Sequence, residues 1–351
     1  MLFAGKYKEA SELTNKTQIC KGVGSGFGGG AKVPFGCFQT LGDLWLDFGI
    51  TNDYTNYKRE LDLNEGIVRI SYLQNGVTFT REIFISYPDQ ALVMRLSANK
   101  KGALNLNATI TRPERFETVA ADDQLVMSGT MNNGQGGDGM KYMVRLKAVA
   151  KNGTVTYSGK EMQVKNADQV VLFLTASTDY KLHYPDYKGT DPGITSLANM
   201  NKAIAKPYSV LLKSHLTDYQ KLFGRVSLNL SNIKNDTIPT DVRVTNQKKN
   251  PTDLRLQEIY FQYGRYLLIS SSRKGSLPAN LQGIWANQIQ TPWNCDYHTD
   301  INVQMNYWPV DITNLSECQQ PLTDLIASLV EPGTKTAAVQ YHAKGWCVHP
   351  I

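Results

Sequence analysis

The hydrophobic period of this chain changes once, and the change divides it. Between residues 43 and 174, apolar side chains recur at every second position. Asp43-Leu44-Trp45-Leu46-Asp47-Phe48, Val68-Arg69-Ile70-Ser71-Tyr72 and Val77-Thr78-Phe79-Thr80-Arg81-Glu82-Ile83-Phe84-Ile85 all alternate. A period of two puts successive side chains on opposite faces of a strand. Leu92–Leu96, Leu104–Leu106, Tyr142–Leu146 and Val170–Leu174 continue the series, and Gln74-Asn75-Gly76 and Asn152-Gly153 supply turns in which Asn and Gly accept positive φ. Many short strands separated by turns predict a large antiparallel β-sandwich, each sheet with one buried and one solvated face.

Past residue 190 the period becomes helical. Asp191-Pro192-Gly193 marks the break, and Ile194 to Leu222 reads as helix, divided in two by Pro207. Val226–Leu230 is expected as a short strand, and 231–252, polar with Pro239 and Pro251, as a linker. Thr252-Asp253 then caps a strong helix carrying Ile259, Tyr260, Tyr263, Tyr266 and Leu267. A second helix is expected over Pro321–Leu329, broken by Glu331-Pro332-Gly333, and a third from Thr334 to about His342. Ahead of the strands, 4–17 reads as a helix with Tyr7, Ala10 and Leu13 on one face. The glycine-rich stretch Gly22–Gly30 is no phosphate cradle, since no strand leads into it and no Lys-Ser or Lys-Thr closes it. The expected organisation is therefore a sandwich over 1–190, a helical linker over 191–252 and the start of an all-helical domain over 253–351.

Composition excludes several functions. The net charge is +6, but the 37 basic residues are scattered and no aromatics interleave with the Lys100-Lys101 or Lys248-Lys249 pairs, so no nucleic-acid partner is expected. No run approaches the roughly 18 apolar residues of a spanning helix, so no membrane partner is expected either. Five cysteines without a Cys-x-x-Cys pair read as structural thiols, and no metal or cofactor is expected.

Chemistry concentrates between the helices, in Leu277-Pro278-Ala279-Asn280-Leu281-Gln282-Gly283-Ile284-Trp285 and Thr291-Pro292-Trp293-Asn294-Cys295-Asp296-Tyr297-His298-Thr299-Asp300-Ile301-Asn302-Val303-Gln304-Met305-Asn306-Tyr307-Trp308-Pro309. Aromatic faces suit the C–H patches of a pyranose, while amides, carboxylates and a histidine suit its hydroxyls. A loop whose amides stitch its own backbone has the same composition.

The order of these residues resembles the segment that opens the (α/α)6 barrel of family 95 glycoside hydrolases, the inverting α-L-fucosidases. Phe38–Leu44, Tyr57–Leu63 and Thr80–Phe84 are similar to strands of that family's N-terminal sandwich. His215–Val226 and Pro239-Thr240-Asp241 are similar to its linker, and Gln262–Leu268 to its first barrel helix. The resemblance implies an antiparallel β-supersandwich, a helical linker and the start of an (α/α)6 barrel. Twelve barrel helices need roughly 300 residues or more, and 99 follow residue 252. The chain is therefore expected to be cut at both ends, with the general acid beyond residue 351 and the piece inactive alone.

By the same resemblance, the substrate is a fucosylated oligosaccharide or glycan, and its terminal α-L-fucose, 1,2-linked, is removed by water attack with inversion. The water is held by two positions spaced i, i+2. Asn302 matches the second, and Asp300 stands where the family has asparagine, so Asp300 is expected to take the proton itself. His298 matches a position near C5 of the sugar and favours fucose over galactose, with an α-L-galactosidase as the alternative. Trp285 and Trp293 are candidate pocket walls. A periplasmic or secreted location in a bacterium follows from family habit. The competing readings are a carbohydrate-binding protein without catalysis and a phosphorylase of related architecture.

Overall fold

The computed structural model of the chain describes residues 1–17, 36–49, 53–231, 237–249 and 251–349. Its strands are β1 (Asp43–Asp47), β2 (Thr55–Asp62), β3 (Ile67–Gln74), β4 (Val77–Ser86), β5 (Ala91–Ala98), β6 (Leu104–Thr111), β7 (Glu117–Ala121), β8 (Gln124–Asn132), β9 (Asp138–Lys151), β10 (Thr154–Ser158), β11 (Glu161–Ala167) and β12 (Gln169–Thr178). They form an eight-stranded sheet in the order β2-β3-β4-β5-β12-β9-β8-β7 and a four-stranded sheet in the order β1-β6-β11-β10, with antiparallel pairing throughout. The β3–β4 hairpin closes on Asn75 (φ 49°) and Gly76 (φ 74°), which sets Gln74 opposite Val77.

The two sheets pack face to face. Leu104, Leu106, Ala108 and Ile110 of β6 and Met162 and Val164 of β11 meet Leu96, Met127, Val144, Leu146, Val170 and Leu172 of the larger sheet. Each such fully buried aliphatic side chain contributes about 1.5–3 kcal/mol. The larger sheet does not solvate its other face at its centre, contrary to the expectation from alternation. Ile67, Phe84, Val93, Val171 and Phe173 are buried there against Met200, Ala203 and Leu211. The helices responsible are α2 (Pro192–Ile204) and α3 (Tyr208–Phe223). The sign of this in the sequence is Val170-Val171-Leu172-Phe173-Leu174, an unbroken apolar run suited to a strand covered on both sides.

α3 continues past the sheet into a third core. Tyr219, Leu222 and Phe223 pack there with Leu268, Ile269, Val303, Tyr307, Val310, Leu315, Cys318 and Leu322. Around this core lie α4 (Thr240–Gln247), α5 (Leu254–Ser271), α6 (Asn302–Tyr307), α7 (Pro309–Ile312) and α8 (Gln320–Tyr341). α5 begins at Asp253, whose Oδ1 accepts the Leu256 N–H at 3.0 Å.

Three local expectations are corrected and a fourth holds. Residues 226–230 form no strand: the Leu230 and Ser231 N–H groups donate to the Glu258 carboxylate and the Val226 carbonyl accepts from Arg265, so side chains of α5 take the place of a strand partner. The polar stretch 231–252 holds α4, which begins directly after Pro239. Pro332 does not divide the last helix, because α8 runs unbroken for 22 residues. A Cβ on its neighbour Gly333 would stand 2.8 Å from the Cys347 carbonyl, so this pair marks where the 345–349 segment crosses the helix. The helix expected over 4–17 forms as α1 (Tyr7–Thr17), with Tyr7 and Leu13 exposed. The glycine-rich stretch 22–30 lies outside the described residues.

Candidate active site

The segment between α5 and α6 has little regular structure, and both the sandwich and its own amides hold it in place. The Phe38 and Thr40 N–H groups donate to the Asn294 and Gln288 carbonyls, both at 3.0 Å, and Thr291 Oγ1 donates to the Phe38 carbonyl at 2.9 Å. The Tyr87 hydroxyl reaches the Lys274 carbonyl at 2.8 Å. Asn280 and Gly283 exchange backbone hydrogen bonds, and Asn280 Oδ1 accepts the Gln282 N–H. Asn306 Nδ2 donates to the Ala279 and Asn280 carbonyls. For Asn280 and Asn306, then, the bland alternative holds: these amides stitch the loop. Gly283 (φ 73°) is required here, since a Cβ would meet the Trp285 ring at 2.6 Å.

Beyond this scaffold the backbone is strained. Trp293, Asn294 and Cys295 all have φ near +50°, and Ile301 has φ 95°, a value a β-branched residue tolerates poorly. Between these two points lie Asp296, Tyr297, His298, Thr299 and Asp300. His298 Nε2 stands 2.7 Å from Asp296 Oδ1, with both side chains about four-fifths buried. Burial pushes the Asp296 carboxyl above the usual carboxylate range, and the neighbouring imidazole partly offsets this. Tyr297 points the other way. Its hydroxyl reaches the Pro278 carbonyl at 3.1 Å and its ring meets Phe38 edge-on at 5.7 Å. The Val303 N–H donates to the His298 carbonyl, and Thr299 Oγ1 donates to the His349 carbonyl.

His298, Asp300 and Asn302 therefore share one tight turn at the start of α6, with His298 anchored and Asp300 and Asn302 exposed. Trp293, 70% exposed, stands on the strained turn before them. Trp285 is brought to a different feature, an open concavity of about 680 Å3 lined also by Tyr260, Tyr263, Gln282 and Asn306 and by none of His298, Asp300, Asn302 or Trp293. The site residues inferred from sequence thus fall on two neighbouring surfaces rather than in one pocket.

The helical part and its loop match the glycosyl hydrolase family 95 catalytic domain over residues 207–351. Residues 1–183 match the N-terminal domain of glycosyl hydrolase family 65. Curated relatives agree along nearly the whole chain. "Alpha-L-fucosidase 2" of Arabidopsis thaliana is 36% identical over 348 residues, covering 91% of this chain and 41% of that protein. "Probable alpha-fucosidase A" of Aspergillus niger is 32% identical over 330 residues, covering 90% of this chain and 41% of the relative. The chain belongs to glycoside hydrolase family 95. It spans about two fifths of the length of these relatives.

Within this family 95 chain, sequence reasoning passed over three residues that hold the site. Asp296 anchors His298. Tyr307, which the motif contains, ties α6 to the start of the loop at Ser272 and Ala279. Arg265, 3% exposed on α5, donates to the Leu222 and Phe223 carbonyls at the end of α3 and to the Thr313 carbonyl beyond α7. An arginine on the apolar stripe of a strong helix was the available signal. Among the described residues there is no group of three His, Cys, Asp or Glu placed to hold a metal ion.

Proposed function

We propose that the chain carries the water-holding part of an α-L-fucosidase site and that the whole enzyme removes terminal α-L-fucose, 1,2-linked, from oligosaccharides with inversion. The observation that carries this reading is the turn from His298 to Asn302, fixed from behind by Asp296 and open to solvent at Asp300 and Asn302, in a chain of this family. An inverting hydrolase needs its base and acid about 6.5–9.5 Å apart, with water between the base and the anomeric carbon. Asp300 supplies a carboxylate on the exposed side of the turn and takes the proton of that water, while the Asn302 amide orients it. Asp296 is turned onto His298 and is not assigned as the leaving-group acid. In this reading residues 1–190 are the sandwich, 191–252 the linker and 253–351 the first helices of an (α/α)6 barrel. The glycan substrate goes with a periplasmic or secreted location. No helix among the described residues is long and apolar enough to cross a membrane.

The test is hydrolysis of an aryl α-L-fucoside and of a 2-fucosylated oligosaccharide by the protein at its native gene length, followed by proton NMR in the first seconds. β-L-Fucose appearing first is the expected result. Release of the α-anomer first, or of no fucose, overturns the reading.

A further inference from the structure

We propose that Asp296 is a positioning residue for His298: its carboxylate engages ring Nε2 and leaves Nδ1 as the atom that meets the ligand. The identity of that ligand, a fucosyl unit, rests on the reading above, whereas the geometry does not. Asp296 is extended (φ −82°, ψ −174°), so residues 296 and 298 project to one side of the backbone while Tyr297 projects to the other. Tyr297 is locked on its side by Pro278 and Phe38, and the backbone cannot rotate to separate Asp296 from His298 without breaking both contacts.

The Asp296 carboxylate has little choice of partner. Oδ1 is closed to solvent, stands 2.7 Å from His298 Nε2, and has no well-aligned donor among the described residues. A buried carboxylate oxygen without a proton or positive charge beside it is strongly disfavoured. Of the ring nitrogens it is Nε2 that faces Oδ1, and the proposal puts the ring proton there. In a neutral imidazole a proton on Nε2 makes Nδ1 an acceptor, and the hydrogen bond made by one nitrogen fixes the role of the other. Nδ1 has no hydrogen-bond partner among the described residues. It is the ring's free polar atom, and a sugar hydroxyl is a donor of the right kind for it.

The experiment has two arms on the native-length protein. In the first, Asp296→Leu, Asp296→Asn, His298→Ala and the Asp296→Leu/His298→Ala double variant are compared on an aryl α-L-fucoside. Asp296→Leu is expected to raise KM about tenfold with a smaller change in kcat. Asp296→Asn, which keeps an acceptor, should recover most of that loss, and the double variant should be no worse than His298→Ala alone. In the second arm, long-range proton–nitrogen NMR of ring-labelled histidine, well above the ordinary imidazole range of about 6.5, should find the His298 proton on Nε2 in the native protein and redistributed in Asp296→Leu. Losses that simply multiply in the double variant, or a native proton on Nδ1, overturn the proposal. If the native protein turns over no fucoside, the fucosidase reading fails and the NMR arm alone decides the part played by Asp296.

Discussion

The Tyr307 hydroxyl lies 2.7 Å from the Ala279 nitrogen, whose N–H it accepts, and 2.9 Å from Ser272 Oγ, so one phenol on α6 holds the opening stretch of the loop that carries the tryptophans. Tyr307 is 5% exposed, and burial pushes its hydroxyl above the usual phenol range. Tyr307→Phe keeps the ring and leaves the Ala279 donor buried without a partner. A loss of about 1–2 kcal/mol in urea unfolding is expected. A change below about 0.3 kcal/mol would show that the hydroxyl ties nothing.

Arg265 is the more severe case. Its guanidinium supplies the donors for backbone carbonyls at the end of α3, and hydrophobic replacement strands several of them at once. Arg265→Met is expected to cost about 3 kcal/mol or more, because each buried unsatisfied group carries a penalty of about 1–3 kcal/mol. Arg265→Lys should recover little, since a single ammonium cannot span those carbonyls. Thermal unfolding of the two variants side by side tests this.

Glu258 gives a pH signature. Hydrogen bonds from Arg255 and from the Ser231 and Leu230 N–H groups hold its carboxyl down at about 2, against an ordinary 4.5. A depressed carboxylate stabilises the fold above its unfolded pKa and loses that contribution as pH falls through its folded one. The gap in urea midpoint between the native protein and Glu258→Gln should therefore be widest above about pH 5 and close as pH falls towards about 2. A gap that widens with acid would contradict the assignment.

At the proposed site, Asp300→Asn in the native-length enzyme is expected to lower kcat by about 10²–10⁴, the usual range for loss of a general base. Near-normal turnover would return Asp300 to the role of an ordinary loop residue. His298→Thr should shift preference from fucoside towards L-galactoside, measured as a ratio of kcat/KM values for the two aryl glycosides. An unchanged ratio would remove His298 from the specificity pocket.

The sequence made the sandwich legible wherever strands alternate over five or more residues, as β3 and β4 do. β11 buries Met162 and Val164 but is interrupted by a register shift before Ala167, too brief a pattern to stand out. β8 begins with four consecutive buried residues, Gln124 to Met127, and so shows no period. Pro332 misled because a helix survives one missing N–H when its neighbours are packed, and that packing, Gly333 against Cys347, is invisible before folding. In the site, the residue types were legible and their grouping was not. Asp296 and His298 meet only because the backbone between them is extended and Tyr297 is pinned, and Trp285 parts from the others because Gly283 admits its ring.

α3 belongs to two cores at once: Leu211 lies under the sheet, and Tyr219 and Phe223 lie among the helices that follow it. Its His215 stacks on Phe84 at 4.8 Å, and the Tyr219 hydroxyl reaches the Leu63 carbonyl at 2.6 Å. A helix shared in this way makes the join rigid and non-modular. Grafting the helical half onto another protein's sandwich would have to carry α3 and the sheet surface beneath it together.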